Sequence, residues 1–157
     1  IIAMALACRP DLIIADEPTT ALDVIVQDQI LNAIKKLQKK MGISLIFISH
    51  DIAVVSDVCD DIGVMYAGQL VEYGKRHEVF DTPAHPYTIA LLSSYLTLDG
   101  PEAQPIPYFG KTPDLFHPPK GCRFHALCPT AKTACDEGGL GWMEISPTHK
   151  ALCCHCG

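Results

Sequence analysis

The feature that most constrains this sequence is an apolar run that ends in two adjacent carboxylates. Residues 12–15 are Leu-Ile-Ile-Ala, Asp16 and Glu17 follow directly, and Pro18 stops the run. A short apolar run bounded by a helix breaker predicts a buried strand of a parallel sheet. The carboxyl ends of such strands form the edge where open α/β sheets place their chemistry. A strand that simply ends in solvated acids is the alternative, and these residues alone favour neither interpretation.

The composition indicates a globular protein. Of the 157 residues, 48% are hydrophobic and 19% are charged, which is enough for one ordinary domain and an appendage. The net charge of -6 argues against a nucleic-acid partner, because no basic surface shows in the totals. No apolar run approaches the roughly 20 residues that a membrane helix needs. We therefore expect any membrane role to be peripheral.

The first eight residues have the apolar composition of the end of a buried helix, without an initiator Met or an N-cap. A signal peptide would need a basic leading region and a small-residue cleavage site. Residues 9–11 are Arg-Pro-Asp instead. We therefore expect that an upstream part of the protein is absent from this sequence.

Strand and helix patterns alternate along the first hundred residues. We predict strands over 12–16, 43–49, 62–66 and 69–74, and helices over about 24–40, 51–58, 75–80 and 86–97. Such alternation predicts a parallel sheet covered by helices. Six of the twelve prolines then lie between Pro101 and Pro119, which predicts an extended linker. The tail after Gly121 holds six of the eight cysteines.

Three segments resemble the ATPase subunit of an ABC transporter: residues 12–18, residues 20–23 (Thr-Ala-Leu-Asp) and residues 46–51 (Ile-Phe-Ile-Ser-His-Asp). The resemblance implies that Asp16 is the Walker B aspartate, which helps to hold the Mg²⁺ of ATP, and that Glu17 activates the attacking water. It further implies that residues 21–23, which end in Asp23, form the D-loop that contacts a partner subunit at the nucleotide. His50 matches the switch histidine that contacts the γ-phosphate.

A second motif narrows the family. Residues 85–88 (His-Pro-Tyr-Thr), followed by Ala-Leu-Leu at 90–92, resemble the C-terminal motif of the oligopeptide/dipeptide (and nickel) importer ATPases. A helix that starts at a proline explains Pro86 alone. The resemblance implies an α/β fold: a partial P-loop NTPase of the ABC type, with a parallel sheet and helices, over residues 1–84. Residues 85–157 would be the importer C-terminal region, with a helix, a proline-rich linker and a small cysteine-rich metal-binding tail.

The phosphate-binding loop G-x-x-x-x-G-K-[ST] is not found in these residues. Gly110-Lys111-Thr112 fails as a candidate because Pro105 occupies the first glycine position. The signature loop of the family is not found either, so we expect this chain by itself not to hydrolyse ATP. The intact protein would bind ATP and Mg²⁺ and pair with a homologous or identical ATPase subunit. On the cytoplasmic face of the cell membrane it would drive peptide import through permease subunits, served indirectly by a substrate-binding protein.

The tail cysteines resemble those that hold a [4Fe–4S] cluster in this family, and the match implies Cys122, Cys128, Cys135 and Cys153 as ligands. Cys154 and Cys156 are alternatives for the fourth position. Zinc stays open, although the close pairs typical of zinc sites are missing. Free thiols also stay open, and disulfides are disfavoured among intracellular reductants. Cys8 and Cys59 lie in apolar contexts and are expected in the core.

Two other functional classes stay open at this point. The first is a metal-binding regulatory module (iron–sulfur or zinc) in which the ATPase half is degenerate. The second is an ABC ATPase without a transport role, against which the His-Pro-Tyr-Thr motif and the cysteine tail argue. The upstream sequence would discriminate the first of these from a transport ATPase, because only an active ATPase needs an intact phosphate-binding lysine.

Overall fold

The computed structural model describes residues 2–20, 22–95, 113–136, 138 and 140–153. The chain forms two compact units, Ile1–Cys59 and Asp60–Gly157. The first unit contains, in chain order, helix α1 (Ile2–Ala7), strand β1 (Leu12–Asp16), helix α2 (Val24–Met41), strand β2 (Ser44–Ile48) and helix α3 (Ile52–Val58). The strands and helices predicted for this part of the sequence are therefore confirmed to within one or two residues.

Strands β1 and β2 pair in parallel, with a register that runs from Leu12 opposite Ser44 to Asp16 opposite Ile48. Both strands therefore end at the same edge of the sheet. The pairing continues one residue further, since the Glu17 amide donates to the Ile48 carbonyl at 2.9 Å. This register places the residues that follow the two strands side by side.

Helix caps determine where α2 and α3 begin and where α2 ends. Asp23 is the N-cap of α2 and its Oδ1 accepts from the Val26 amide at 2.9 Å. Gly42 ends α2 in the left-handed conformation, at φ 67°, which glycine adopts without a Cβ penalty. Asp51 caps α3 by accepting from the amides of residues 53 and 54. The capping residues thus determine where each helix leaves the strand edge.

One face of the parallel pair is exposed, contrary to the expectation of a strand buried on both sides. Leu12, Ile14, Ile46 and Ile48 are 46 to 64% exposed, whereas the alternate residues are half-buried. The buried-helix expectation for residues 1–8 is also wrong here, because Met4 is 78% exposed. Apolar side chains favour burial, but they are buried only where another segment covers them. Within this unit the described residues cover only one face of the sheet.

The second unit contains strand β3 (Asp61–Tyr66), strand β4 (Gln69–Lys75), helix α4 (Arg76–Asp81), helix α5 (Pro86–Tyr95), strand β5 (Trp142–Glu144) and strand β6 (Lys150–Leu152). Two 3₁₀ turns, His125–Leu127 and Thr133–Cys135, precede β5. The strands form one sheet in the order β3-β4-β6-β5, and every neighbouring pair is antiparallel.

A parallel sheet throughout was therefore the wrong prediction for these strands. The connection between β3 and β4 is the two-residue turn Ala67-Gly68, with φ of 48° and 77°. Two positive φ values make the tight hairpin turn that joins antiparallel strands. A parallel connection needs a dozen or more residues, so a two-residue loop excludes it.

The cysteine-rich tail is built into the second unit. Strand β6 pairs with β4 through Glu72 opposite Ala151 and Tyr73 opposite Lys150. Ala151 and Phe124 are essentially inaccessible to solvent, so tail residues contribute to the core. The predicted linker over 101–119 lies mostly outside the described residues, and its last part, 113–119, contains no helix or strand. The predicted boundary between residues 84 and 85 stays a prediction.

The helices of the described part of the chain include none that is long and apolar enough to cross a membrane.

Candidate functional site

Glu17 and His50 lie in contact at the shared edge of the parallel strands. Glu17 Oε1 is 2.7 Å from His50 Nδ1 and also accepts from the His50 amide at 3.0 Å. Glu17 Oε2 accepts from the Thr20 hydroxyl at 3.0 Å. The contact follows from the parallel register, because each residue comes directly after its strand or one residue later. Thr20 is the one partner that the sequence did not indicate in this role.

The backbone of Glu17 is in an uncommon conformation. Its φ is 46°, in the left-handed region that a residue with a side chain rarely adopts. Such a conformation costs roughly 1–3 kcal/mol and persists where surrounding contacts determine it. Here the strand ladder holds the Glu17 amide on the Ile48 carbonyl, while both carboxylate oxygens are engaged by His50 and Thr20.

The contact shifts both ionisations. The hydrogen bond from His50 lowers the pKa of Glu17 below its ordinary value. The same hydrogen bond raises the pKa of His50, and the negative charges of Glu17 and Asp51 add to the effect. Both groups are solvent-accessible in this unit, so the pair is open to a ligand.

Asp16 is the last residue of β1 and is exposed. Its carboxylate makes no hydrogen bond with any residue that the structure describes, so both oxygens are available to a hard cation such as Mg²⁺. Asp23 is already engaged as the cap of α2. Ala21, the first residue of the predicted D-loop, lies outside the described residues. The predicted roles of Asp16 and Asp23 at a nucleotide stay predictions.

We expect Glu17→Gln to bring the pKa of His50 back down towards its ordinary value. The amide removes the negative charge and weakens the hydrogen bond that favours the imidazolium. The titration is followed by the ring proton shifts of His50 in NMR spectra. Asp16→Asn is the matched control, because Asp16 does not contribute to the shift at His50. An unchanged His50 titration in Glu17→Gln would contradict the contact.

A second cluster lies in the second unit. Cys122, Cys128, Cys135 and Cys153 all line one small cavity, together with His85, Pro86, Phe124, His125 and Leu140. The cavity volume is about 10 Å³, which is the room that one water molecule needs. Burial raises the pKa of the Cys122 thiol. The structure thus brings together the four cysteines that the family resemblance selected, although they come from separate stretches of the tail.

His85 forms part of the wall of this cavity and is 1% exposed. Its Nδ1 accepts from the Tyr87 amide at 3.0 Å, which caps helix α5. Its Nε2 is buried and has no hydrogen-bond partner among the described residues. Burial lowers the pKa of His85 to about 4, so the ring is neutral at pH 7. A buried donor without an acceptor costs roughly 1–3 kcal/mol, so this nitrogen calls for an explanation.

Glu72 fixes the entry to helix α5. This fully buried carboxylate accepts from the amides of Ala84 and His85, at 2.8 and 2.9 Å, and lies 2.7 Å from His149 Nε2. It therefore ties β4, the start of α5 and the turn before β6 together. The sequence did not indicate Glu72, and it indicated His149 only as a member of the cysteine-tail pattern and not as a partner of Glu72.

The cysteine cavity fits a metal centre in its donor chemistry. Thiolates are soft ligands that suit iron–sulfur clusters or zinc. In the described part of the chain, however, no group of three or more His, Cys, Asp or Glu side chains is arranged to hold a metal ion. Cys135 is disulfide-bonded, contrary to the expectation that disulfides are disfavoured, whereas Cys122 and Cys128 are thiols. Cys154 and Cys156 lie outside the described residues.

We expect Gly121→Ala to destabilise the tail by about 1–2 kcal/mol. A Cβ at Gly121 would overlap the carbonyl oxygen of Cys135, which also accepts from the Cys122 amide at 2.7 Å. Thermal unfolding of the chain measures the loss. Gly141→Ala is the matched control, since no atom lies within 4 Å of its added Cβ. Equal melting temperatures for the two variants would show that the tail does not pack in this way.

Comparisons with known proteins show which family this chain resembles. Residues 71–135 match the family described as the oligopeptide/dipeptide transporter C-terminal region. The dipeptide transport ATP-binding protein DppD of Bacillus subtilis is 49% identical over 153 residues, covering 98% of this chain and 46% of that protein. The oligopeptide transport ATP-binding protein OppD of Bacillus subtilis is 50% identical over 152 residues, covering 95% of this chain and 42% of that protein.

One solved structure is also similar. It is CbiO1 from Clostridium perfringens, part of the ABC transporter complex CbiONQ, with a TM-score of 0.48 and 32% identity, covering 62% of this chain and 36% of that chain.

The relatives define the class as the ATP-binding proteins of ABC transport systems. Within that class, the chain belongs to the oligopeptide/dipeptide importer family, as the sequence motifs predicted. The comparisons do not support the alternative of a metal-binding regulatory module with a degenerate ATPase half. The chain spans less than half the length of the curated relatives it matches.

Proposed function

We propose that the whole protein is the ATP-hydrolysing subunit of a peptide importer. The single observation that carries the proposal is the 2.7 Å contact between Glu17 and His50 at the edge where β1 and β2 end. Relatives of nearly half identity that are named as dipeptide and oligopeptide transport ATP-binding proteins supply the cargo class.

The Glu17 carboxylate and the His50 imidazole have different roles in ATP hydrolysis. Glu17 orients the attacking water and accepts its proton. The lowered pKa of Glu17 keeps the carboxylate ionised and also makes it a weaker base while His50 is bound to it. His50 lies against Glu17 and donates towards the transferred γ-phosphate. Asp16 is the residue of this chain that would hold Mg²⁺, which would neutralise charge on the phosphates when bound. Thr20 keeps Glu17 in the orientation that its left-handed backbone allows.

We propose the partners from the family that this chain resembles. A second ABC ATPase subunit, homologous or identical, would complete the nucleotide site, with Asp23 near that interface. Permease subunits would carry the peptide, a substrate-binding protein would deliver it, and this subunit would lie on the cytoplasmic face of the membrane as a peripheral component. The net charge of -6 argues against a nucleic-acid partner.

The cysteine-lined cavity is the proposed site of a [4Fe–4S] cluster held by Cys122, Cys128, Cys135 and Cys153, with zinc as the alternative. The convergence of these four residues on one cavity supports the proposal. Binding requires Cys135 as a thiolate, so its disulfide must be reduced before the metal is bound. The cluster would tie the two 3₁₀ turns to the end of β6 and stabilise a region with little core of its own.

The proposal is tested by peptide uptake into vesicles that contain the whole protein with its partner ATPase and permeases. We expect labelled di- or oligopeptide to accumulate in the vesicles only when ATP is supplied on the side of the membrane where the ATPase subunits lie. Vesicles that are identical except for an inactive partner ATPase serve as the control, because any peptide that enters them has leaked through the membrane. If no peptide accumulates above the ATP-free level, while the assembled complex binds ATP, peptide import is the wrong function for this protein.

A further inference from the structure

The buried ring of His85 has one nitrogen with a hydrogen bond still to make. The residue is 1% exposed, and its Nδ1 accepts from the Tyr87 amide at 3.0 Å. A neutral imidazole that accepts at one nitrogen carries its proton on the other, so this contact places the proton on Nε2. That Nε2–H is buried and has no acceptor in the described part of the chain. Because a buried donor is costly to leave unsatisfied, the ring indicates an acceptor from outside the described residues.

The cavity beside the ring limits the size of that acceptor. His85 lines this cavity together with the four tail cysteines, and its volume of about 10 Å³ is that of one water molecule. Cys135 is in a disulfide, and no group of three or more His, Cys, Asp or Glu side chains in the described residues is arranged to hold a metal ion. In this form of the protein, a molecule of the size of water is therefore the ligand that fits.

The wall of the cavity also offers groups that a water molecule can bind. Buried waters typically make about three hydrogen bonds, and cavities lined only by hydrocarbon stay dry. Here the His85 Nε2–H can donate to the water oxygen, and the water hydrogens can be accepted by sulfur, which is a weak acceptor. The thiols of Cys122 and Cys128 lie in the same wall. One strong contact and weaker ones to sulfur thus replace an unsatisfied donor, at the modest entropic cost of holding one water.

We propose that this cavity is the binding site of one ordered water molecule, which accepts a hydrogen bond from His85 Nε2–H and donates to the sulfur atoms of the tail. The water would join the start of α5 to the cysteine tail, which gives the His-Pro-Tyr-Thr motif a role in addition to starting a helix. The His85 amide donates to Glu72 at 2.9 Å, so the connection continues into β4. The inference rests neither on ATP hydrolysis nor on a bound metal, and it concerns the protein in which Cys135 is oxidised.

A competing acceptor is the ring of Phe124, whose centroid lies 6.0 Å from that of His85. An N–H···π contact of this kind is weak. If it were the partner of Nε2, no ordered water would lie beside that nitrogen. The two possibilities therefore differ in a measurable way.

The test uses the whole protein, purified in air so that the disulfide is retained, with water itself as the probe. In a high-resolution crystal structure we expect a water peak at about 2.7–3.2 Å from His85 Nε2. In NMR spectra of protein with ¹⁵N-labelled histidine, we expect the proton on Nε2 and a cross-peak between that proton and water. His85→Phe keeps a planar ring but removes the donor, so the crystallographic peak should be lost. The control is His77→Phe, at an exposed histidine of α4, which should retain the peak.

Each other outcome decides the matter. A wild-type cavity without a water peak, or a proton on Nδ1, overturns the inference. A peak that persists in His85→Phe also overturns it, because other groups would then hold the water. Should His85→Phe fail to fold, the peak and the cross-peak of the wild type decide alone. A metal ion found in the cavity of the oxidised wild type overturns the water site and leaves the proposal of peptide import standing.

Discussion

Replacing Glu17 with Gln in the whole protein should lower steady ATP turnover by about 10²–10⁴-fold, which is the range that a positioned general base contributes. The amide is nearly the same size as the carboxylate, but it does not accept a proton from water at neutral pH. Because Glu17 lies beside the predicted phosphate site without being the metal ligand, nucleotide affinity should change little. The measurement is phosphate release per assembled transporter, with bound nucleotide determined in parallel.

A matched control for this variant is Glu144→Gln. Glu144 is an exposed residue of β5, and the same change of charge there should leave turnover within twofold or so of the wild type. Turnover of Glu17→Gln within the range of this control would show that another group removes the proton from the water. The ATPase assignment of Glu17 would then be wrong even if the complex transports peptide.

The second large effect is expected at Glu72. Replacement by Gln turns one of two acceptor oxygens into a donor, so at least one of the amides of Ala84 and His85, or the ring of His149, faces a group that does not accept from it. A buried unsatisfied donor together with a broken buried pair costs about 3 kcal/mol. For a chain of this size, that loss lowers the melting temperature by roughly 6–12 °C.

The single tryptophan of the chain reports on this prediction, because Trp142 lies on β5 in the same sheet as Glu72. Thermal unfolding followed by its fluorescence gives the melting temperature. Glu144→Gln again serves as the control, with an expected change of less than about 0.5 kcal/mol at an exposed site. A melting temperature of Glu72→Gln that equals the control would mean that the buried carboxylate does not hold the start of α5.

The first unit was largely predictable because its determinants are local. Asp23, Asp51 and Gly42 are residue types that cap helices, and each lies at a helix end. The contact of Glu17 with His50 was predictable because neighbouring parallel strands end at a common edge. The exposed face of β1 and β2 was not predictable, because an apolar residue pattern does not show which segment, if any, covers it.

The second unit depends on pairings that are distant in the sequence. Strand β6 has three residues and pairs with β4 across more than seventy positions, so its pattern carries almost no signal. The Glu72–His149 contact has the same origin. The antiparallel hairpin could have been predicted from the sequence, because the loop Ala67-Gly68 is too short for a parallel crossover. The gathering of the cysteines was predicted from family resemblance, and spacing alone would not have selected them.

The central claim is that Glu17 and His50 act as one catalytic unit. A double-mutant cycle of ATP turnover in the assembled transporter tests it most directly, using Glu17→Gln, His50→Ala and the double variant. Residues that act together give strongly non-additive losses. The account predicts that the double variant is no slower than Glu17→Gln alone, within about threefold. Losses that multiply, so that the double variant falls by the product of the two single effects, would contradict it.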